Sequence, residues 1–167
     1  MRKKFYFILV IFLLVPVYSL YSDDGAATKT AQDFWISIGG DASMYSYMGM
    51  SYGGSLSFGY GSGSSIGLKL CYFFNEEGID TMEACLLLRF YIFGKDAYSG
   101  PFFQFLGGVS LFNRSGDFAI PSNVGIFSAG LGFGWRFLFA DRFFIEPFIR
   151  GGYPYVFGGT LSIGVRF

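Results

Sequence analysis

Histidine is absent from this chain of 167 residues. A Ser–His or Cys–His couple is therefore excluded, because the base that activates such a nucleophile is missing. Cysteine occurs twice. With no histidine beside them, Cys71 and Cys85 fall short of the ligands of a zinc site, and no metal or other cofactor is expected. Charged residues make up only 14% of the chain, against about 25% in a soluble domain. The twelve Lys and Arg balance the twelve Asp and Glu without forming a basic patch, so nucleic acid is not expected as a partner. Beyond the N-terminus no apolar run approaches the roughly 18 residues of a spanning helix. "GYGSGSS" (59–65) is rich in glycine but lacks the lysine of a phosphate-binding loop, so it reads as a turn. Glu76 and Glu77 form a carboxylate pair inside a turn and read as solvated charges.

What the chain does have is 25 Gly, 23 Phe and 12 Tyr, and it is 52% hydrophobic. High apolarity without apolar runs means that hydrophobic residues alternate with others.

"MRKKFYFILVIFLLVPVYSLYS" has a basic start (Arg2, Lys3, Lys4), an apolar core from Phe5 to Val15, then Pro16 and small residues. That is the layout of a secretory signal peptide, here residues 1–22. Cleavage after Ser22 is preferred to cleavage after Ser19, because the charged "DDG" that follows suits a mature N-terminus. An uncleaved anchor helix is the alternative, for which the core is short. Residues 23–33 are polar and small and read as a flexible lead-in.

From residue 34 the hydrophobic period is two almost everywhere. Strands are expected at about 34–48, 51–60, 65–74, 81–93, 101–112, 124–138, 142–151 and 157–167. A very tight turn is expected around Met48–Met50. One face of each strand is apolar, for example Ile66, Leu68, Leu70, Tyr72 and Phe74. The other mixes glycine, serine and charge with some Phe and Tyr. Eight strands of this length match what a tilted strand needs to cross a bilayer. A soluble eight-stranded barrel would be apolar inside and polar outside. An eight-stranded interior has room only for the side chains that fill it, so a continuous apolar face on every strand must look outward. Lipid stabilises such a face, and lipid admits a sheet only when it closes. The expected fold is therefore all-β: an eight-stranded antiparallel up-and-down transmembrane β-barrel over 34–167. Trp35, Tyr45, Tyr47, Tyr52, Tyr60, Tyr72, Tyr91, Trp135, Tyr153 and Tyr155 fall near strand ends, a placement that suits interfacial girdles. Glycines in "GLGFG" (130–134) read as making room for interior aromatics such as Phe144 and Phe148.

With its signal peptide, eight alternating strands, the segment "FFIEPFIRGGYP" (143–154) and a last strand "GGTLSIGVRF" ending on Phe167, the chain resembles the small bacterial outer-membrane barrels. That superfamily includes outer membrane proteins X and W and the membrane domain of outer membrane protein A. The resemblance implies location in the bacterial outer membrane, contact with its lipid, and insertion by the barrel-assembly machinery. Leu161, Ile163, Val165 and Phe167 would be the assembly signal. Both chain ends and the turns after strands two, four and six would be periplasmic, and the other links would face outside.

On this arrangement the interior carries Asp41, Lys69, Glu83, Arg89, Arg136, Glu146, Arg150 and Arg166, which should pair in a narrow dry lumen. A turn at 139–141 would put Glu146 diagonal to Arg136, and Arg89 and Lys69 would share that half of the barrel. Cys71 and Cys85 are both inward on one hairpin. Equal offsets of seven from Gly78 would set them directly across the ladder, where a disulfide and two free thiols are both open. The expected role is non-enzymatic: an envelope protein with a structural or surface-interacting function. The longest outer link, about 113–123, with Phe118, Ile120 and Pro121 at its tip, is the candidate loop for a host or environmental ligand. The alternative is a narrow channel or a transporter of small, possibly apolar, molecules, with Phe73, Phe112, Phe144 and Phe148 along its route.

Overall fold

A computed structural model of the chain describes residues 34–46, 48–61, 63–75, 78–92, 99–114, 123–140 and 142–167. The signal segment, the lead-in, Tyr47, and Phe118, Ile120 and Pro121 lie outside these. Eight strands follow one another: β1 (Phe34–Tyr45), β2 (Gly49–Gly61), β3 (Ser64–Phe74), β4 (Ile79–Tyr91), β5 (Gly100–Arg114), β6 (Asn123–Phe139), β7 (Phe143–Tyr153) and β8 (Tyr155–Arg166). Each pairs antiparallel with the next, and β8 returns to β1, which closes the barrel.

Alternation decides which side chains enter the lumen. In β1, Trp35, Ser37, Asp41, Ser43 and Tyr45 are buried, while Phe34, Ile36, Ile38 and Met44 are exposed. From β5 onward the parity reverses: Phe103, Phe105 and Val109 are exposed, and Gln104 and Ser110 are buried. Large apolar residues thus cover the exterior, with Ile149 66% exposed and Leu161 60%. So large an exposed apolar surface is a liability in water and is the favoured arrangement in lipid.

Several boundaries move from the sequence expectation. The first reversal occupies 46–48, where Met48 N donates to Tyr45 O at 3.4 Å. Gly49 follows with φ 69°, a conformation that costs glycine little. β5 and β6 extend further than their hydrophobic period implied, and β7 and β8 are separated only by Pro154.

The two rims differ. The rim that carries Phe34 and Phe167 is called the terminal rim, and the opposite one the far rim. At the far rim the β5–β6 ladder continues to Asn113 opposite Asn123. The β6–β7 ladder stops at Ala129 opposite Tyr153. Asn123–Ser128 therefore has β5 on one side and, among the described residues, no strand on the other.

The proposed alignment of the cysteines is corrected by the register. Cys71 faces Glu83 and Cys85 faces Lys69, so the two are diagonal rather than directly opposite. Both are free and buried. The hairpin closes one residue earlier than symmetry about Gly78 requires. Asn75 sets that closure: its carbonyl oxygen accepts from Gly78 N at 3.3 Å, and its side-chain oxygen accepts from Ile79 N at 2.9 Å. Unfolding without reductant is expected to expose two titratable thiols per chain; a disulfide would leave none.

Two inward glycines fix how closely the aromatics pack. A Cβ on Gly132 would run into the Phe148 ring, and one on Gly164 into the Phe144 ring and, at 2.5 Å, the Ile36 carbonyl oxygen. Gly40, on the outer face, has nothing within 4 Å of its added Cβ. Gly132→Ala is expected to lower stability by about 1–3 kcal/mol, the usual cost of overpacking, with Gly40→Ala close to neutral. Urea unfolding in lipid vesicles measures both, and equal effects would contradict the lumen packing.

Candidate functional site: a filled lumen beneath an apolar mouth

Among the described residues, seven charged side chains are buried in the lumen: Asp41, Lys69, Glu83, Arg89, Arg136, Glu146 and Arg150. They form layers between the two rims, and every one is in an ion pair.

Nearest the terminal rim, Glu146 Oε2 accepts from Arg89 Nη1 at 3.0 Å and from Arg136 Nε. The expected Glu146–arginine network is therefore present. Its geometry is tighter than expected: Gly134 pairs with Phe148 and Phe137 with Ile145, which sets Arg136 level with Glu146 rather than diagonal to it. Arg89 also donates to Gln104 Oε1 from Nε at 3.1 Å and from Nη2 at 2.8 Å. Aromatic rings seal this layer. The Arg89 guanidinium lies 4.2 Å from the Phe102 ring centre and 4.6 Å from that of Trp35. The Arg136 guanidinium lies 3.8 Å from Phe144 and 5.0 Å from Trp35. Stacked rings are favourable partners for desolvated guanidinium groups.

Lys69 does not join this layer, contrary to the expectation. It spans the lumen at mid-height and bonds Asp41 Oδ1 at 2.6 Å and Thr160 Oγ1 at 2.9 Å. Thr160 in turn donates to Asp41. Between the Lys69 and Glu146 layers lies a cavity of about 20 Å³ lined by Ser37, Ser57, Gln104, Thr160, Ser162 and the charged groups themselves. That is space for about one water molecule.

Toward the far rim, Glu83 and Arg150 form a separate pair at 2.8 Å. Tyr45 and Ser110 donate to Glu83 Oε1 at 3.1 and 3.3 Å, and Arg150 Nη2 donates to Ser43 Oγ at 3.0 Å. Tyr45 then caps the lumen. Its ring makes edge contacts with Phe73, Phe112 and Tyr155 at centroid distances of 6.0, 5.7 and 6.3 Å. Arg166 is inward but only half-buried, at the terminal rim level with Trp35.

Four residues assigned to girdles belong to this interior instead. Trp35, Tyr45 and Tyr155 are buried, and Tyr91 is half-buried against Phe102. For Trp35 and Tyr45 the signal was available, since they share the parity of Asp41. For Tyr155 it was not. A bulge pairs Met44 with Phe157 but Tyr45 with Tyr155, and the extra residue turns Tyr155 inward against the parity of Leu161. Tyr52, Tyr60, Tyr72, Trp135 and Tyr153 are exposed, as girdle residues should be.

Above the Tyr45 cap the far rim holds a pocket of about 180 Å³. Tyr45 is its floor. Ser46 and Met48 border it on the β1–β2 side, Phe112, Val124 and Ile126 on the β5–β6 side, and Tyr153 and Pro154 at the end of β7. Almost all of this lining is apolar, and none of it is charged. Hydrophobic alternation carries no direct sign of this pocket, because it depends on β6 outrunning β7.

No protein-family model matches the chain, and a search of curated proteins finds no match. Solved structures do resemble it. The N-terminal β-barrel domain of Pseudomonas aeruginosa OprF matches with a TM-score of 0.60 at 18% identity, covering 81% of this chain and 97% of that one. Yersinia pestis Ail, solved with the heparin analogue sucrose octasulfate, matches with 0.55 at 19%, covering 81% and 99%. The outer membrane protein OprG from Pseudomonas aeruginosa matches with 0.56 at 11%, covering 82% and 96%. The closed ring of eight antiparallel strands and these likenesses together establish that the chain has the fold of the small eight-stranded outer-membrane barrels.

Proposed function

We propose that this chain is an integral protein of the bacterial outer membrane, non-enzymatic and closed to ions, which supports the envelope and meets its surroundings through the far rim. The observation that carries the reading is the filled lumen. Ion-paired layers occupy it from Arg136 to Glu83, the cavity within it has room for about one water molecule, and Tyr45 caps it. The terminal rim would be periplasmic, after removal of the signal peptide. Leu161, Ile163, Val165 and Phe167 would present the assembly machinery with an alternating strand ending in an aromatic. Outer contacts then fall to the far-rim links, of which the one joining β5 to β6 is the longest, although the two strands shorten it from the expected 113–123 to 115–122. The sulfated ligand of Ail is not a fitting guide to the partner, since the far-rim links here carry Glu76, Glu77 and Asp117, and the strand ends beside them add Asp80 against Arg114. Cells displaying the protein should lose binding to a host or environmental surface when 115–122 is replaced by a short glycine–serine turn, with the amount of inserted barrel unchanged. Unaltered binding would remove the surface role.

The mouth pocket favours a second reading, uptake of small apolar molecules. Passage through the lumen would have to displace Tyr45 and its bond to Glu83. Vesicle uptake of an apolar dye that Tyr45→Ala speeds up would support it.

A further inference from the structure

We propose that the small cavity between the Lys69 and Glu146 layers binds one monovalent, single-atom anion, a halide, held by Lys69, Arg89 and a wall of serine hydroxyls. The inference is separate from the surface role and rests on the closed lumen.

Two independent features meet at this place. The first is unbalanced charge. Among the described residues the buried lumen holds four cations, Lys69, Arg89, Arg136 and Arg150, against three carboxylates, Asp41, Glu83 and Glu146. Asp41 matches Lys69 and Glu83 matches Arg150, so the excess falls on the third group, where Arg89 and Arg136 share Glu146. In that group Arg136 Nη2 is buried with no hydrogen-bond partner among the described residues. A buried charge without a counter-charge is costly, and a small anion beside it offsets that cost.

The second feature is the wall of the cavity. Lys69 borders it from one layer and Arg89 from the other. On β8, β1 and β2 the inward residues that line it are Ser162, Ser37 and Ser57, and Ser37 lies directly opposite Ser57. All three are buried. Their short side chains leave the space, and their hydroxyls can each turn a proton toward an anion. Lys69 carries one N–H beyond the two given to Asp41 and Thr160. Glu146 also lines the cavity, but the two arginines bonded to it outweigh its charge. Size and sign together define the ligand. Cations would meet Lys69 and Arg89. Phosphate, sulfate and carboxylates carry several heavy atoms, too many for about 20 Å³. Water fits but brings no charge. A halide satisfies both conditions. With Tyr45 above and the aromatic-sealed arginine layer below, the ion is enclosed as the strands close and carries no current.

The test uses the whole barrel refolded into lipid vesicles, with sodium bromide as the probe and sodium gluconate, whose anion is too large for the cavity, holding ionic strength constant. Above the bromide dissociation constant, each tenfold rise in bromide should lower the unfolding equilibrium constant about tenfold. Ser57→Val crowds the cavity and removes one donor while every charge stays, and it should flatten that dependence. Wild-type crystals grown in bromide should show one anomalous-scattering peak inside the cavity, beside Lys69. That measurement leaves the protein untouched, so a misfolded variant cannot mask the answer. Unfolding indifferent to the exchange of gluconate for bromide would overturn the inference, as would a cavity peak without anomalous signal, which is water. An equal bromide response in wild type and Ser57→Val would place the ions elsewhere and overturn it too. A barrel that is silent in bilayer recording and indifferent to bromide keeps the closed lumen and loses the anion, whereas a conducting wild type removes both.

Discussion

Glu146→Ala is expected to lower the unfolding free energy by about 3–5 kcal/mol, the cost of leaving buried charge uncompensated. The size follows from the arrangement and not from the strength of a single bond. Among the described residues Glu146 is the only carboxylate in contact with two buried guanidinium groups, and its loss leaves Arg89 and Arg136 close together beside the Trp35 ring with no carboxylate between them. Gln104 still accepts from Arg89, so part of that residue's hydrogen bonding survives. Arg136 loses its one ion pair. The pair as a whole need not be a net source of stability, because desolvating three charges is itself costly. Changing Glu146, Arg89 and Arg136 together to apolar residues of similar volume should therefore restore much of what Glu146→Ala loses. Urea titration of the barrel in vesicles reads both. A loss below about 1 kcal/mol for Glu146→Ala would mean that water reaches the arginines, since solvated pairs are worth only that much.

Phe167 is expected to behave in the opposite way, with a large effect on assembly and a small one on the finished barrel. In the folded structure its side chain is 73% exposed and its ring lies 6.2 Å from that of Phe34. Its backbone N–H donates to Phe34 O at 2.8 Å, which Phe167→Ala preserves. Among the described residues its ring meets that of Phe34, so Phe167→Ala removes little packing from the finished barrel. If Phe167 is also part of an assembly address, Phe167→Ala should lower the inserted amount several-fold in cells while the purified, refolded protein keeps its unfolding midpoint. Wild-type insertion would leave Leu161, Ile163, Val165 and Phe167 as an ordinary closing strand. A matching fall in both quantities would assign the effect to stability alone.

The two predictions draw on different levels of what the sequence can express. Strand number, closure and the direction of each face were legible because a period of two makes every second residue share an environment. Asp41, Lys69, Glu83, Arg89, Arg136, Glu146 and Arg150 could all be placed inside on that basis alone. Which of them meet was only partly legible. Arg136 and Glu146 lie on one hairpin, so counting from the turn brought them close, although Arg136 proves level with Glu146. Lys69 and Asp41 lie on β3 and β1, and their contact crosses the lumen, where no local count applies. Small departures at turns had large consequences. Asn75 closes its hairpin one residue early, which moves the partner of Cys71 from Cys85 to Glu83. One extra residue in β8 turns Tyr155 inward. The mouth pocket and the open side of β6 depend on the relative heights of adjacent strands, and hydrophobic alternation carries no information about height.

The filled lumen is the claim on which the rest depends, and electrical recording tests it most directly. Purified, folded protein is inserted into planar lipid bilayers, and single-channel current is followed for the wild type and for Glu146→Gln. The account predicts no steady open level for the wild type. Glu146→Gln should be less stable on unfolding and still show no sustained conductance, because the Tyr45 cap and the Glu83–Arg150 layer remain. A long-lived open state in the wild type, or one that Glu146→Gln alone creates, would contradict a closed interior and make the charge layers a gate.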